Sequence, residues 1–326
     1  MKTTYLGLEL RSPVIVASSP YTASARSVAQ CAAAGAGAVV LKSLFEEQVV
    51  RHAAALDCAS AGAGMGDAGE YLERYLGDAY RAEWLRLVAD ARATGIPVIA
   101  SINCFASAGA WIDYACALVD AGASALELNI FLLPADRRSS SAEIEAAYAD
   151  IVRRVAGAVP VPVSVKLPRR LTNVLALGDA LEGRGARGVV LFNRFFEPDI
   201  DIERLEFVAA DPFDAPAPLR DVLRTAALFT HALPRLDVAL SSGVHDGEAA
   251  VKALLCGARA VELCTAIPRG GYEAIGRIGA FVDEWAARHG FDSIEAFRGR
   301  MDFGAAGGEM LQRVQYMKYF PHECGG

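Results

Sequence analysis

The chain has 326 residues, 53% of them hydrophobic, which is enough to bury a large core in one or two domains. Its formal net charge of -7 argues against a general nucleic-acid binder, which would need a basic face. No apolar run approaches the roughly 20 residues that span a bilayer. The start, MKTTYLGLELRSPVIVASS, has no apolar stretch leading to a small-residue cleavage site, so a signal peptide is not expected. The seven cysteines (Cys31, Cys58, Cys104, Cys116, Cys256, Cys264 and Cys324) are scattered and form no CxxC pair. They read as reduced thiols of a cytoplasmic protein without a structural metal site.

In chain order, PVIVASS (13–19) reads as a first strand and AGAGAVVLKS (34–43) as a turn followed by a second. PVIASIN (97–103), AGASALELNI (121–130), VPVSVKL (161–167), RGARGVVLFN (184–193), DVALSSG (237–243) and CGARAVELCT (256–265) supply six more. Four of these eight share one pattern, a Gly-Ala pair, one further residue (Gly37, Ser124, Arg187 or Arg259), then an apolar run ending in a polar group. The glycine suits the position after a helix end, where positive φ is easy only for glycine. The apolar run suits a strand buried on both faces, as in parallel sheets. Amphipathic stretches lie between most of the strands: Arg81–Ala93, Trp111–Asp120, Ala142–Ala156, Asn173–Gly183 and Gly247–Cys256.

Eight strands alternating with helices fit an α/β fold, one (β/α)8 TIM barrel over residues 1–326, with no linker dividing the chain. A doubly wound open sheet would call for a glycine-rich loop after the first strand, and SSPYTASAR lacks GxGxxG. Two connections are long, residues 44–80 after strand 2 and 194–236 after strand 6. Excursions of that length are functional or carry small extra elements.

Active sites of such barrels sit at the C-terminal ends of the strands. Those ends read Ser18/Ser19, Lys42/Ser43, Asn103, Asn129, Lys166, Asn193, Ser242/Gly243 and Cys264/Thr265. The set holds no histidine or carboxylate, which disfavours a metal centre and His-based acid/base chemistry. Only five lysines occur (Lys2, Lys42, Lys166, Lys252, Lys318), and two of them are strand ends. Two chemistries stay open for Lys42 and Lys166: a Schiff-base nucleophile, or fixed positive charge beside an electron-rich cofactor or an anion. The turns after strands 7 and 8, Ser242-Gly243 and Cys264-Thr265, suit a phosphate. A phosphate below lysines and asparagines points to a flavin mononucleotide, FMN, with Lys166 facing the charge that develops on its ring.

The motifs PVIVASS, VVLKS, ELNI, VKL, LFN, SSGV and ELCTA, in this order, with the tail HGFDSIEAFRGRM (289–301), resemble the dihydroorotate dehydrogenase family of FMN barrels over nearly the whole chain. LKSLFEEQ (41–48) and LFNRFFEPDID (191–201) are similar to its dihydroorotate dehydrogenase-like branch. The resemblance implies an oxidoreductase acting on CH–CH groups, dihydroorotate as the default substrate, and a place in pyrimidine biosynthesis. Ala17, Ser18, Lys42, Ser43, Asn103, Asn129 and Lys166 would line the flavin ring and its ribityl chain. Ser242, Gly243, Cys264 and Thr265 would hold the phosphate. Lys42, Asn129 and Asn193 would face the substrate, with Arg194 beside them where a small hydroxyl residue is usual. The resemblance also implies a homodimer. The absence of an N-terminal membrane-associating helix argues against the quinone-linked class of the family and leaves a soluble electron acceptor or an electron-transfer subunit open.

The chain departs from the family where the general base is expected. After Asn129 the run is Ile130-Phe131-Leu132-Leu133-Pro134, so a leucine stands where a Cys or Ser accepts the proton. Ser139, Ser140, Ser141, Cys104, Glu46 and Glu47 are the candidates to replace it. The asparagine-rich segment expected within 44–80 is also missing, GAGMGDAG being the nearest stretch. The readings are therefore an FMN oxidoreductase for dihydroorotate or for another cyclic or carboxylated compound, a Schiff-base lyase or aldolase using Lys42 or Lys166, and a flavin binder without turnover.

Overall fold

The structure, a computed structural model, describes residues 1–45, 81–103, 108–132, 136–194, 198–209, 219–304 and 309. Eight parallel strands form one barrel: β1 (Val14–Val16), β2 (Ala38–Val40), β3 (Val98–Asn103), β4 (Ala125–Leu128), β5 (Val163–Pro168), β6 (Gly188–Asn193), β7 (Asp237–Leu240) and β8 (Ala260–Leu263). Neighbours in chain order pair in parallel, and Val261↔Val14 and Leu263↔Val16 join β8 to β1 and close the sheet. Leu44–Phe45 extends β2 along the end of β3.

Helices follow the strands: α1 (Ala25–Ala33), α2 (81–92), α3 (Ala108–Asp120), α4 (Ser141–Ala158), α5 (Val174–Gly183), α6 (Leu219–Ala232), α7 (Gly247–Leu255) and α8 (Glu273–Arg288), the last preceded by a short helix, Ala266–Gly270. The repeated Gly-Ala pair is the helix-to-strand turn. Gly35, Gly122, Gly185 and Gly257 have φ of 102°, 106°, 100° and 100°. Two residues later the backbone N–H donates to the preceding strand each time: Gly37 to Val14 O, Ser124 to Val98 O, Arg187 to Val163 O and Arg259 to Val238 O. The same local sequence thus starts four strands in the same register.

Strand side chains alternate between two cores, as a period of two requires. Val14, Val16, Val39, Leu126, Val165 and Leu240 pack outward under the helices. Ile15, Ala38, Val40, Ile99, Ala125, Val190, Ala239 and Ala260 point into the barrel, where Tyr5, Leu6 and Leu10 close the bottom. Those three come from an N-terminal hairpin, Thr3–Tyr5 with Leu8–Leu10, which the sequence reading did not foresee. The Leu6 N–H donates to Asp237 Oδ2 at 2.7 Å and anchors the turn. A Cβ on Gly188 would meet Leu6 Cδ2 at 2.6 Å and the Asp237 carbonyl oxygen at 2.9 Å, so a side chain there would press on both the hairpin and β7.

The connection after β6 needs a correction. It is not one excursion over 194–236, because Leu219–Ala232 is the regular helix α6. The added element is an antiparallel hairpin, Pro198–Asp201 with Glu206–Ala209. The excursion after β2, with Glu46 and Glu47, lies outside the described residues from 46 onward.

Candidate functional site

All eight strands run the same way, so their polar last residues meet at one rim. Ala17 N donates to Leu263 O at 2.9 Å and ties the end of β1 to that of β8. Beside it a line of hydroxyls runs inward. Ser18 Oγ accepts from Ser43 N at 2.9 Å and lies 3.2 Å from Ser43 Oγ, which is 2.8 Å from Ser101 Oγ on β3. Ser101 is a residue that sequence reasoning missed, because it stands two places before the strand end. Asn103 is buried, and its Oδ1 has no hydrogen-bond partner among the described residues. An acceptor left bare in this way is costly unless a donor arrives with a ligand.

Asn129 and Asn193 come together: Asn193 Nδ2 donates to Asn129 Oδ1 at 2.5 Å. Lys42 is half-buried at the end of β2, and Arg194 is half-buried just beyond Asn193.

Lys166 is buried inside the rim, with 7% of its surface exposed. It does not stand alone. Its Nζ donates to Glu262 Oε2 at 2.7 Å and lies 3.8 Å from Glu127 Oε1. Burial alone would depress the ammonium, but the charges of Glu262 and Glu127 outweigh burial and hold Lys166 above its ordinary value. Burial, then the Glu262 charge, push Glu127 well above the usual carboxylate range, and Lys166 only partly opposes them. The sequence showed Glu127 only as an interruption of an apolar run and gave Glu262 no role. Their meeting depends on barrel closure, which no local pattern encodes.

At the other end of the rim, Ser242-Gly243 and Cys264-Thr265 follow the paired strands β7 and β8 and so lie side by side. Ser242 has φ 75°, rare for a residue with a Cβ, and its Oγ donates to Phe192 O at 3.1 Å. Gly243 follows with φ 76°, and a Cβ there would meet Leu219 N at 2.7 Å. Thr265 is buried and Cys264 exposed. Arg269, which sequence reasoning also missed, lies 3.0 Å from His245 Nδ1 through its Nη1 and links the two turns. The Asp246 carboxylate already caps α7 by accepting from Ala249 N at 2.8 Å.

The candidates for a replacement base fare unequally. Ser139, Ser140 and Ser141 are all exposed. The Ser140 hydroxyl donates to Glu143 Oε2 at 2.8 Å and accepts from Glu143 N, a helix cap for α4. Cys104, Leu133 and Pro134 lie outside the described residues. Leu132 is 37% exposed.

Comparison with known proteins gives the following relatives. The chain is 32% identical over 203 residues, 61% of its own length and 66% of the relative's, to a protein of Aeropyrum pernix provisionally named dihydroorotate dehydrogenase A (fumarate). It is 26% identical over 311 residues, covering 92% of this chain and 97% of the relative, to the dihydroorotate dehydrogenase B (NAD(+)) catalytic subunit of Methanothermobacter thermautotrophicus. It is 28% identical over 305 residues, 90% and 93% of the two chains, to the subunit of the same name from Methanosarcina acetivorans. No family model matches the chain.

Proposed function

The chain belongs to the dihydroorotate dehydrogenase family, and on that premise we propose that it is an FMN-dependent oxidoreductase acting on a CH–CH or C=C bond of a small anionic substrate. The observation that carries this is the rim itself. It combines a buried amide acceptor without a partner among the described residues, a paired asparagine couple, a hydroxyl line, two lysines and two adjacent small-residue turns.

These residues fit FMN. Asn103 Oδ1 suits an N–H on the edge of the flavin ring. Ala17, Ser18 and Ser43 suit the ring and the ribityl chain, and Lys166 supplies positive charge beneath. Ser242, Gly243, Cys264 and Thr265, with Arg269 at their side, suit the phosphate. When bound, FMN supplies the hydride acceptor. The rest falls to the chain: Lys42, Asn129, Asn193 and Arg194 would hold and orient the anionic substrate, and the half-buried Phe131 with the exposed Leu132 would form an apolar wall. Leu132 cannot accept a proton, so dihydroorotate is the family's substrate rather than one these residues argue for.

The paired state of Lys166 counts against its use as a Schiff-base nucleophile, since a nucleophilic amine must be neutral. A lyase would then rest on Lys42 alone, and borohydride trapping with substrate would reveal it.

Two relatives carry the words catalytic subunit in their names, which supports an electron-transfer subunit or soluble acceptor as the partner. Ile200, Ile202, Leu205 and Phe207 are exposed on the hairpin after β6, and an apolar patch of this kind favours a protein contact such as a homodimer. No helix of the described residues is long and apolar enough to cross a membrane.

The absorption spectrum of the purified protein, repeated after anaerobic addition of dihydroorotate, is the first test. We expect one FMN per chain. A protein that stays colourless after reconstitution with FMN, or that holds FAD, overturns the reading.

A further inference from the structure

Two glutamates and one lysine meet inside the barrel, and their charges do not balance. Glu127 of β4 and Glu262 of β8 are each 1% exposed and flank Lys166 of β5. One ammonium cannot neutralise two carboxylates, and an uncompensated buried charge is strongly disfavoured. The other groups facing the trio do not help. Tyr5 rises from the hairpin below, with Ser164 on β5 and Cys264 at the end of β8. The carboxylate of Asp237 adds negative charge and is itself held by Leu6 N and by Arg259 Nε, 2.5 Å away. Both Glu127 oxygens and Glu262 Oε1 lack a hydrogen-bond partner among the described residues.

We propose that Glu127 and Glu262 share one proton at neutral pH, and that this proton sets how much of the Lys166 charge reaches the strand rim. The trio is then neutral: one ammonium, one carboxylate, one carboxylic acid. The proton provides the donor that the orphaned oxygens lack. The Ser18–Ser43–Ser101 hydroxyl line runs from the rim to the strand position beside Glu127, Ser101 being its register partner. Like charges this close divide their protons in the same manner wherever two carboxyls share a dry site. Glu127 and Glu262 are positioning residues, acting on a ligand only through Lys166. That second part rests on the FMN reading; the shared proton does not.

The first measurement uses protein freed of cofactor. Its infrared spectrum at neutral pH should contain a carboxylic acid C=O band that shifts in D2O. Both Glu127→Gln and Glu262→Gln should remove it, since either leaves one carboxylate facing one ammonium. No such band in the wild type, or a band that survives Glu262→Gln, overturns the proposal.

The second measurement is the midpoint potential of bound FMN. In the Glu127→Gln/Glu262→Gln double variant the Lys166 charge is unopposed. The reduction equilibrium should shift by about tenfold toward the reduced form, a rise of about 30 mV for a two-electron couple. An unchanged potential overturns the link to the rim. If the double variant does not fold, Glu262→Gln alone is compared with wild type for the pH dependence of its potential, and identical slopes overturn the link equally. Failure to bind FMN at all would instead reject the FMN reading while leaving the infrared result to decide the shared proton.

Discussion

Asn193 Nδ2 donates to Asn129 Oδ1, so β6 and β4 are joined at the rim across the strand that lies between them. The bond fixes both amides. It leaves the Asn129 N–H groups and Asn193 Oδ1 for a ligand. Both residues are half-buried, so neither is needed to fill the core. We expect Asn193→Ala to leave stability nearly unchanged and to weaken orotate binding about five- to tenfold, the worth of one hydrogen bond. Titration of the flavin spectrum with orotate measures it. A loss of fold instead would make the pair structural.

Removing Lys166 should hurt stability as well as flavin. Lys166→Met leaves Glu127 and Glu262 buried without their cation, and breaking a buried pair in this way costs about 3–5 kcal/mol. Adding Glu262→Gln should recover part of that. Urea unfolding of the two variants is the check, and equal midpoints for both would show that Lys166 and Glu262 are not coupled. Where Lys166→Met still folds, we also expect weaker FMN binding or a lower flavin potential.

Stability should fall as pH rises through the range in which Glu127 loses its proton. Its folded pKa is raised, so the folded chain keeps a proton that the unfolded chain releases. The unfolded state then binds fewer protons, and unfolding becomes easier with rising pH. The contribution is fully present below the ordinary glutamate pKa and is lost above the folded one. Glu127→Gln should flatten this dependence. Urea midpoints from about pH 5 to about pH 9 decide it, and parallel curves for wild type and variant would sink the assignment.

The barrel was legible because its signals are local. Gly35, Gly122, Gly185 and Gly257 each mark a helix end by conformation, and each precedes an apolar run long enough to be a buried strand. Strand-end residues were legible for the same reason, since a parallel closure sends them all to one rim. The N-terminal hairpin was not, because its strands have three residues each and Leu6 takes the φ of 55° usually left to Gly or Asn. The helix α6 was lost inside a connection read as one excursion. Ser101, Glu262 and Arg269 gained meaning only from neighbours far along the chain.

Gly243 separates backbone strain from contact when set against Gly7. Both have φ of 76°, but a Cβ on Gly7 meets nothing within 4 Å, whereas on Gly243 it meets Leu219 N at 2.7 Å. Gly7→Ala should cost about 1 kcal/mol of conformational strain. Gly243→Ala should cost about 1–3 kcal/mol more through the forced contact, and should weaken FMN binding because the turn proposed for the phosphate must move. Thermal unfolding and FMN fluorescence titration measure the two effects. Equal losses in both variants would remove the case for a tight turn at Gly243.

The missing base gives the sharpest expectation about chemistry. With leucine where a thiol or hydroxyl is expected, dihydroorotate should reduce the flavin very slowly, since general-base assistance is commonly worth about 10²–10⁴-fold. Leu132 is 37% exposed, so Leu132→Cys can be made without opening the core. Leu133→Cys, outside the described residues, is the parallel trial, because Pro134 leaves two registers open. In the productive variant the rate should rise with pH as the thiol ionises, near pH ~8.5 for an unperturbed cysteine. Stopped-flow reduction of wild type and both variants provides the comparison. Fast wild-type reduction governed by one ionising group would mean that a base is present after all. Ser139, Ser141 and Cys104 would then be replaced singly, with Ser140 last because its hydroxyl already caps α4. Slow reduction with no gain from either cysteine would turn the reading from dihydroorotate toward a substrate shaped for Arg194 and the apolar wall of Phe131 and Leu132.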